Sequence, residues 1–483
     1  MISGRLSPII FPNFVRPFLG GMSRIRFPKR VGERFQVLGL IFLLLGLVFG
    51  LTAILQYAIP SLWRDSFSFA RSRPLHVFLV VQWIFCGGIG GVYAWLDRQT
   101  RWNEGRKSAR WGSIHFVLHS GTSLLILIAL LSGRYGGREY LEFPPVLGIG
   151  YFLSWLLFAA IFFSNAGHPR SWPVYAWMFA TGIVAFLFSY IEAFSWLIPS
   201  VGGTVVRDLT IQWKSLGSMV GSWNMLIYGG GFFILERIDG NVGRGFQRDV
   251  FLVYLLGFLN LLFNWGHHIY PLPVAAVLRN IAYGVSMTEL LLLARILWNF
   301  LRDARQARVH WNTEARRWIF AADAWVLLNL ALAILLSIPA LNAFTHGTHI
   351  TVAHAMGATI GINTNLLFAS LAFKPNAKDQ PSNELRSVSW LLWSMQCLLL
   401  CFWTGLLLAG WLRIDAIRQQ LTFAEMGLRL LPYYRYLGFA GWILGALVGF
   451  VGWRFLRALL KPVKSVKTES EPEKEMQVVT DNG

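Results

Sequence analysis

Long apolar runs, each about the length needed to cross a membrane, alternate along this chain with short polar stretches rich in arginine. Hydrocarbon offers no hydrogen-bond partners, so a segment crossing it must satisfy its own backbone as a helix, which takes about 20 mostly apolar residues. About twelve runs qualify, at roughly 35–58, 76–96, 111–133, 144–165, 173–197, 213–235, 250–270, 274–298, 317–340, 350–373, 387–411 and 437–458. The pattern predicts an all-α integral membrane protein of about twelve transmembrane helices.

Composition agrees: of 483 residues, 55% are hydrophobic and only 14% charged, outside the range of soluble globular domains. Residues 1–34 are basic and broken by prolines, without the pattern of a cleavable signal, so the first span is expected to stay as an anchor. Residues 35–458 read as one membrane domain with no detectable internal repeat. Residues 459–483, charged and almost free of aromatics, read as a disordered cytoplasmic tail.

A net charge of +19 would suit a nucleic-acid binder, but the placement of the charges assigns it otherwise. With both termini in the cytoplasm, roughly 30 of the 43 Lys and Arg fall on the inner side and roughly 11 on the outer, with Arg279 and Arg295 inside spans. That asymmetry sets orientation and calls for no nucleic acid. Cys86, Cys397 and Cys401 lie within apolar spans and read as small buried hydrophobes rather than a disulfide or metal framework. The 22 tryptophans mostly lie near span ends, as an interfacial belt.

Chemistry enters with histidine. In this topology His76 opens the second span from the outside, His267 and His268 of "NWGHHIYPLP" close the seventh on that side, and His354 sits about one turn into the tenth. A lone histidine in a span is as readily a packing residue. Four in three non-adjacent spans, all in the outer third of the bilayer, point to heme or metal, for which neutral imidazole is the commonest ligand.

In "THGTHITVAHAMGATIGINTN", His354 and Met356 project about 200° apart, so a helix between two hemes would offer one residue to each. Met356 also reads as a flexible packing residue. Glu289, in "YGVSMTELLLLARIL", is a carboxylate among apolar residues one hairpin away from the histidine pair, and must be paired, protonated or metal-bound. Beside two imidazoles it suits non-heme iron better than copper, or a proton relay. Glu192 and Asp323 are weaker candidates. His115 and His119 read chiefly as packing residues, and His346 and His349 as heme-side or solvated loop groups. Nothing is assigned to His168 or His310.

Twelve spans with a histidine opening the second, a pair closing the seventh and a histidine opening the tenth resemble the catalytic subunit I of the heme-copper oxidase superfamily, over nearly the whole chain. Glu289, in the span after the pair, resembles the nitric oxide reductase branch. The resemblance implies a heme-copper oxidase subunit I-like bundle in a bacterial inner membrane, holding a low-spin and a high-spin heme of b type and a non-heme iron or copper. His76 would be an axial ligand of the low-spin heme and His354 the proximal ligand of the high-spin heme. His267 and His268 would bind the non-heme metal, with Glu289 as a further ligand or close neighbour. Met356 stands where the family has a second low-spin histidine.

The sixth span, "IQWKSLGSMVGSWNMLIYGGGFFILERIDG", lacks the histidine the family supplies to the metal; Gln212, Ser218, Ser222 and Asn224 are the polar groups available. The implied activity is reduction of nitric oxide to nitrous oxide. Electrons would come from cytochrome c or quinol, through a small membrane-anchored cytochrome c subunit. Dioxygen reduction, with Tyr270 or Tyr283 near the metal, and nitric oxide dismutation are alternatives within the superfamily. A transporter or a non-catalytic membrane subunit is the alternative outside it.

Overall fold

The computed structural model describes residues 27–99, 102, 106–240, 244–306, 313–373 and 382–461. Most of the basic N-terminal segment and of the charged tail, together with His310, lies outside them. Among the described residues twelve long helices succeed one another: α1 Val31–Ala58, α2 Phe69–Leu96, α3 Arg106–Leu131, α4 Pro145–Asn165, α5 Val174–Ala193, α6 Val205–Asp239, α7 Arg248–Phe263, α8 Ala276–Gln306, α9 Glu314–Leu336, α10 His349–Ala372, α11 Ser382–Arg418 and α12 Phe423–Leu460. Eleven are long and apolar enough to cross a membrane. The exception, α6, is diluted by Ser218, Ser222, Asn224 and several glycines, yet it packs along α5 and buries Met219, Trp223, Leu226 and Ile227.

Apolar runs locate these helices but do not measure them, because capping rather than hydropathy sets their ends. α12 starts at Phe423, well before the apolar run near 437. A reciprocal cap opens it: Glu425 N donates to Thr422 Oγ1 at 3.3 Å, and Thr422 N donates to the Glu425 carboxylate at 2.8 Å. α6 starts at Val205 under a Thr204 cap. The opposite happens in α7, which ends as an α-helix at Phe263 and continues as a 3₁₀ turn over Asn264–Ile269, carrying the histidine pair.

Glycines at seven-residue spacing bring α1 onto α2. A Cβ at Gly32 would stand 2.9 Å from the Gly90 carbonyl oxygen, one at Gly39 3.0 Å from Cys86 Cβ, and one at Gly46 3.0 Å from Val80 Cγ1. In lipid, helices associate by such close backbone packing rather than by a hydrophobic drive. The bundle interior is strongly aromatic. Trp83, Trp155, Trp318 and Trp325 are buried between helices, so the tryptophans are not confined to an interfacial belt. Of the cysteines only Cys86 is buried; Cys397 and Cys401 are exposed on α11, where the apolar surroundings expected for them are those of a lipid-facing surface. Glu192 is ion-paired with Lys214, which gives it a structural role.

Gly39→Leu should lower the apparent melting temperature of the detergent-extracted protein by several degrees, an overpacking cost on the order of 1–3 kcal/mol. Gly230→Ala, where a Cβ meets nothing within 4 Å, should change it little. Equal shifts in thermal unfolding would remove the α1–α2 approach as the sensitive contact.

Candidate metal and heme site

His76 owes its orientation to α1. Its Nδ1 lies 2.8 Å from the Gly46 carbonyl oxygen, so the ring donates there and presents Nε2 with its lone pair, as a metal-ligating imidazole is normally held. One turn further along α1, a Cβ at Gly50 would stand 2.5 Å from His76 Nδ1. Only glycine leaves the ring its seat.

α2 is tied to α10 deeper in the bundle, where Trp83 Nε1 donates to Thr364 Oγ1 at 3.1 Å. Helices eight crossings apart run in the same direction, so His76 and Met356, each about two turns before that bond, are level with one another. Met356 is half-buried against the apolar core. Immediately after it, α10 widens into a π-helix over Gly357–Thr364, a form that recurs at functional sites. Gly357 and Gly361 press on α9 there: added Cβ atoms would stand 2.3 Å from Asn329 Oδ1 and 2.5 Å from the Trp325 ring. His354 Nδ1 is buried without a hydrogen-bond partner.

The histidine pair follows from the 3₁₀ turn. Such a turn eclipses residues three apart, which places Asn264 over His267, with His267 Nδ1 3.1 Å from Asn264 Oδ1. The same amide donates from Nδ2 to Glu289 Oε1 at 3.1 Å, and Ser286 Oγ donates to Asn264 Oδ1 at 2.6 Å. Asn264 therefore fixes the His267 ring, leaves Nε2 free, and couples it to α8. Glu289 is buried, and its Oε2 has no hydrogen-bond partner.

His268 stacks on Trp213 of α6, ring centroids 4.6 Å apart and planes 7° from parallel. Its Nδ1 lies 3.4 Å from Nε2 of His346, which caps the short helix Pro339–Thr345. Burial lowers the pKa of His346. His346 and His354 are electrostatic neighbours of both members of the pair.

Of the residues expected from sequence, His267, His268 and His354 are thus brought into one region. Glu289 reaches the pair through Asn264. Among the described residues, no three His, Cys, Asp or Glu side chains converge as ready-made metal ligands. In α6, Ser218 donates to the Leu261 carbonyl, Ser222 to the Met219 carbonyl, and Asn224 accepts from Asn363. Tyr270 donates to the Ser337 carbonyl. Sequence reasoning missed Asn264, Ser286 and Trp213. Only Asn264 carried a signal, its spacing of three from His267.

His115 and His119 join a buried polar chain elsewhere: Tyr93 OH lies 2.8 Å from His115 Nδ1, and His119 contacts Ser154 Oγ and Gln82 Oε1. The donor sets at His76, His354 and the histidine pair fit heme and metal, since imidazole nitrogens are left free or unpartnered in an otherwise apolar bundle.

Residues 30–452 match the family described as cytochrome c and quinol oxidase polypeptide I. The chain is 21% identical over 436 residues to a nitric oxide reductase subunit of Stutzerimonas stutzeri, covering 84% of this chain and 90% of that protein. A heme-copper terminal oxidase dimer solved by cryo-EM has the same fold, with a TM-score of 0.69 at 14% identity, covering 90% of this chain and 84% of the other.

Asn264→Leu strips partners from His267, Ser286 and Glu289 at once. It should destabilise the protein by about 1–3 kcal/mol for each buried group left unpaired, whereas Asn264→Gln should recover part of the loss. Matching thermal unfolding of wild type and Asn264→Leu would show that the amide does not organise the pair.

Proposed function

Because the chain belongs to the cytochrome c and quinol oxidase polypeptide I family, we propose that it reduces nitric oxide to nitrous oxide. Membership makes it a multi-pass membrane oxidoreductase of a heme- and metal-binding respiratory family. The observation that carries the finer reading is the placement of Glu289. A buried carboxyl tied through Asn264 to His267 sets an acid beside the histidine pair, and the chain is similar along most of its length to a nitric oxide reductase subunit.

In this reading His76 and Met356 would hold a low-spin heme, His354 a high-spin heme, and His267 and His268 a non-heme iron or copper. Bound there, the hemes and metal would supply two electrons and hold two nitric oxide molecules close, for a reaction that takes up two protons and yields nitrous oxide and water. The chain's own groups do the rest. The Gly46 carbonyl and Asn264 hold the two imidazoles in their ligating tautomers. Glu289 keeps Oε2 free while Oε1 is engaged by Asn264, an arrangement suited to delivering protons at the pair.

Met356 in place of histidine raises the potential of the heme it ligates. The level of His76 and His354, near the outer ends of their helices, favours an electron donor on the outer side. A small membrane-anchored cytochrome c subunit, fed by cytochrome c or quinol, fits that position. The setting proposed is a bacterial inner membrane with both termini cytoplasmic, an orientation that the basic inner loops favour.

Turnover by the purified, pre-reduced protein tests this. It should form one nitrous oxide for every two nitric oxide molecules and consume little dioxygen; dioxygen reduction without nitrous oxide formation would contradict the proposal. Glu289→Gln should slow nitric oxide turnover by about 10²-fold with the heme spectrum intact, and an unchanged rate would remove Glu289 from proton delivery.

A further inference from the structure

Three consecutive side chains of α10 reach three different helices. Asn363 Nδ2 donates to Asn224 Oδ1 of α6 at 3.3 Å, and Thr364 Oγ1 accepts from Trp83 Nε1 of α2. Asn365 forms a reciprocal amide pair with Gln396 of α11, at 3.1 and 3.2 Å. Gln396 Oε1 accepts in turn from Trp325 Nε1 of α9 at 2.8 Å. Asn363, Thr364, Asn365 and Gln396 are all buried, so this polar layer fixes the inner half of α10 against four neighbours.

Two of these residues also bond back into the widened turn. Thr364 Oγ1 donates to the Thr359 carbonyl five positions earlier at 2.8 Å, and Asn365 Nδ2 donates to the Gly361 carbonyl at 2.7 Å. A side chain reaching back five residues matches the i→i+5 closure of a π-turn, which holds about one residue more than an α-turn. Were Gly357–Thr364 to tighten into α-helix, that residue would pass to the outer half of α10 and turn it by about 100° about its axis. His354 and Met356 lie in that half.

We infer that Thr364 and Asn365 are positioning residues for the two donors: by holding the π-turn they set the direction in which His354 and Met356 project. The inference rests on the ligand roles proposed above. Gly357 and Gly361 seat the wide turn on α9, where an added Cβ would meet Asn329 or Trp325. Thr364 Oγ1 has two tasks, since it closes the turn and receives Trp83 of the helix that carries His76. One hydroxyl therefore ties both proposed ligands of the low-spin heme to a common reference.

The test combines Thr364→Val with Asn365→Leu in the full-length protein, without and with deletion of Ala358. Tightening of the turn rotates Met356 away, so the double variant should lose the near-infrared magnetic circular dichroism band of a histidine–methionine heme. Deleting Ala358 removes the extra residue and lets a plain α-helix keep both halves in phase, so the band should return. Maleimide labelling in membranes reads the same rotation without heme, on Val352→Cys and Ala353→Cys introduced singly and followed on their own peptide. Val352 is 40% exposed and Ala353 fully buried, so the first should label and the second should not. That order should reverse in the double variant and revert with the deletion. An unchanged band or an unchanged labelling order in the double variant would overturn the inference, and so would a deletion that restores neither, including where the double variant has lost heme. A wild type without the histidine–methionine band contradicts the ligand reading instead, and the labelling order then decides the inference.

Discussion

A buried imidazole is fixed in the tautomer and orientation that present a lone pair when its other nitrogen donates to an acceptor, and this arrangement recurs at His76 and His267. For His76 the acceptor is a main-chain carbonyl, Gly46, reachable because α1 approaches α2 along Gly32, Gly39 and Gly46 and leaves a gap at Gly50. For His267 it is the Asn264 amide, reachable because α7 tightens into a 3₁₀ turn. Two different backbone devices serve one electrostatic end, and each would fail with a single added methyl group or a single lost amide.

The bundle around these seats was legible in the sequence because lipid imposes one rule on every span. The twelve runs correspond to the twelve helices, and depth singled out His76, His267, His268 and His354 as candidates. Depth also put His76 level with the tenth helix, and the Trp83–Thr364 bond ties those two helices together. What the pattern could not supply were contacts set by main-chain geometry. The 3₁₀ turn over Asn264–Ile269, the π-helix over Gly357–Thr364 and the capped start of α12 at Phe423 leave no trace in hydropathy. The convergence of His346 on His268, 78 positions apart in the chain, depends on the corner at Gly347 and on Trp213 from a third helix. The tryptophans misled in the other direction, since Trp83 and Trp155 near span ends or middles are equally good core residues, and packing decided between them.

The chain keeps its family's frame, and two of its side chains bear on the proposed donors. In α6 the Trp213 ring stacks on His268. In α10 Met356 stands immediately before a π-helix that separates it from the Trp83–Thr364 contact. A thioether is a longer, softer and uncharged donor that needs no fixed tautomer. It therefore needs no acceptor of the kind that Gly46 provides for His76, and the packing around α10 supplies only space and apolar contact. The central claim is accordingly that one heme sits between α2 and α10 with one imidazole and one thioether ligand.

Near-infrared magnetic circular dichroism of the oxidised protein tests that claim most directly, because the ligand-to-iron charge-transfer band of a low-spin heme shifts with its axial pair. The account predicts the band of a histidine–methionine heme in the wild type, moving to the bis-histidine position in Met356→His. A bis-histidine band in the wild type, or a band that does not move in Met356→His, would contradict it.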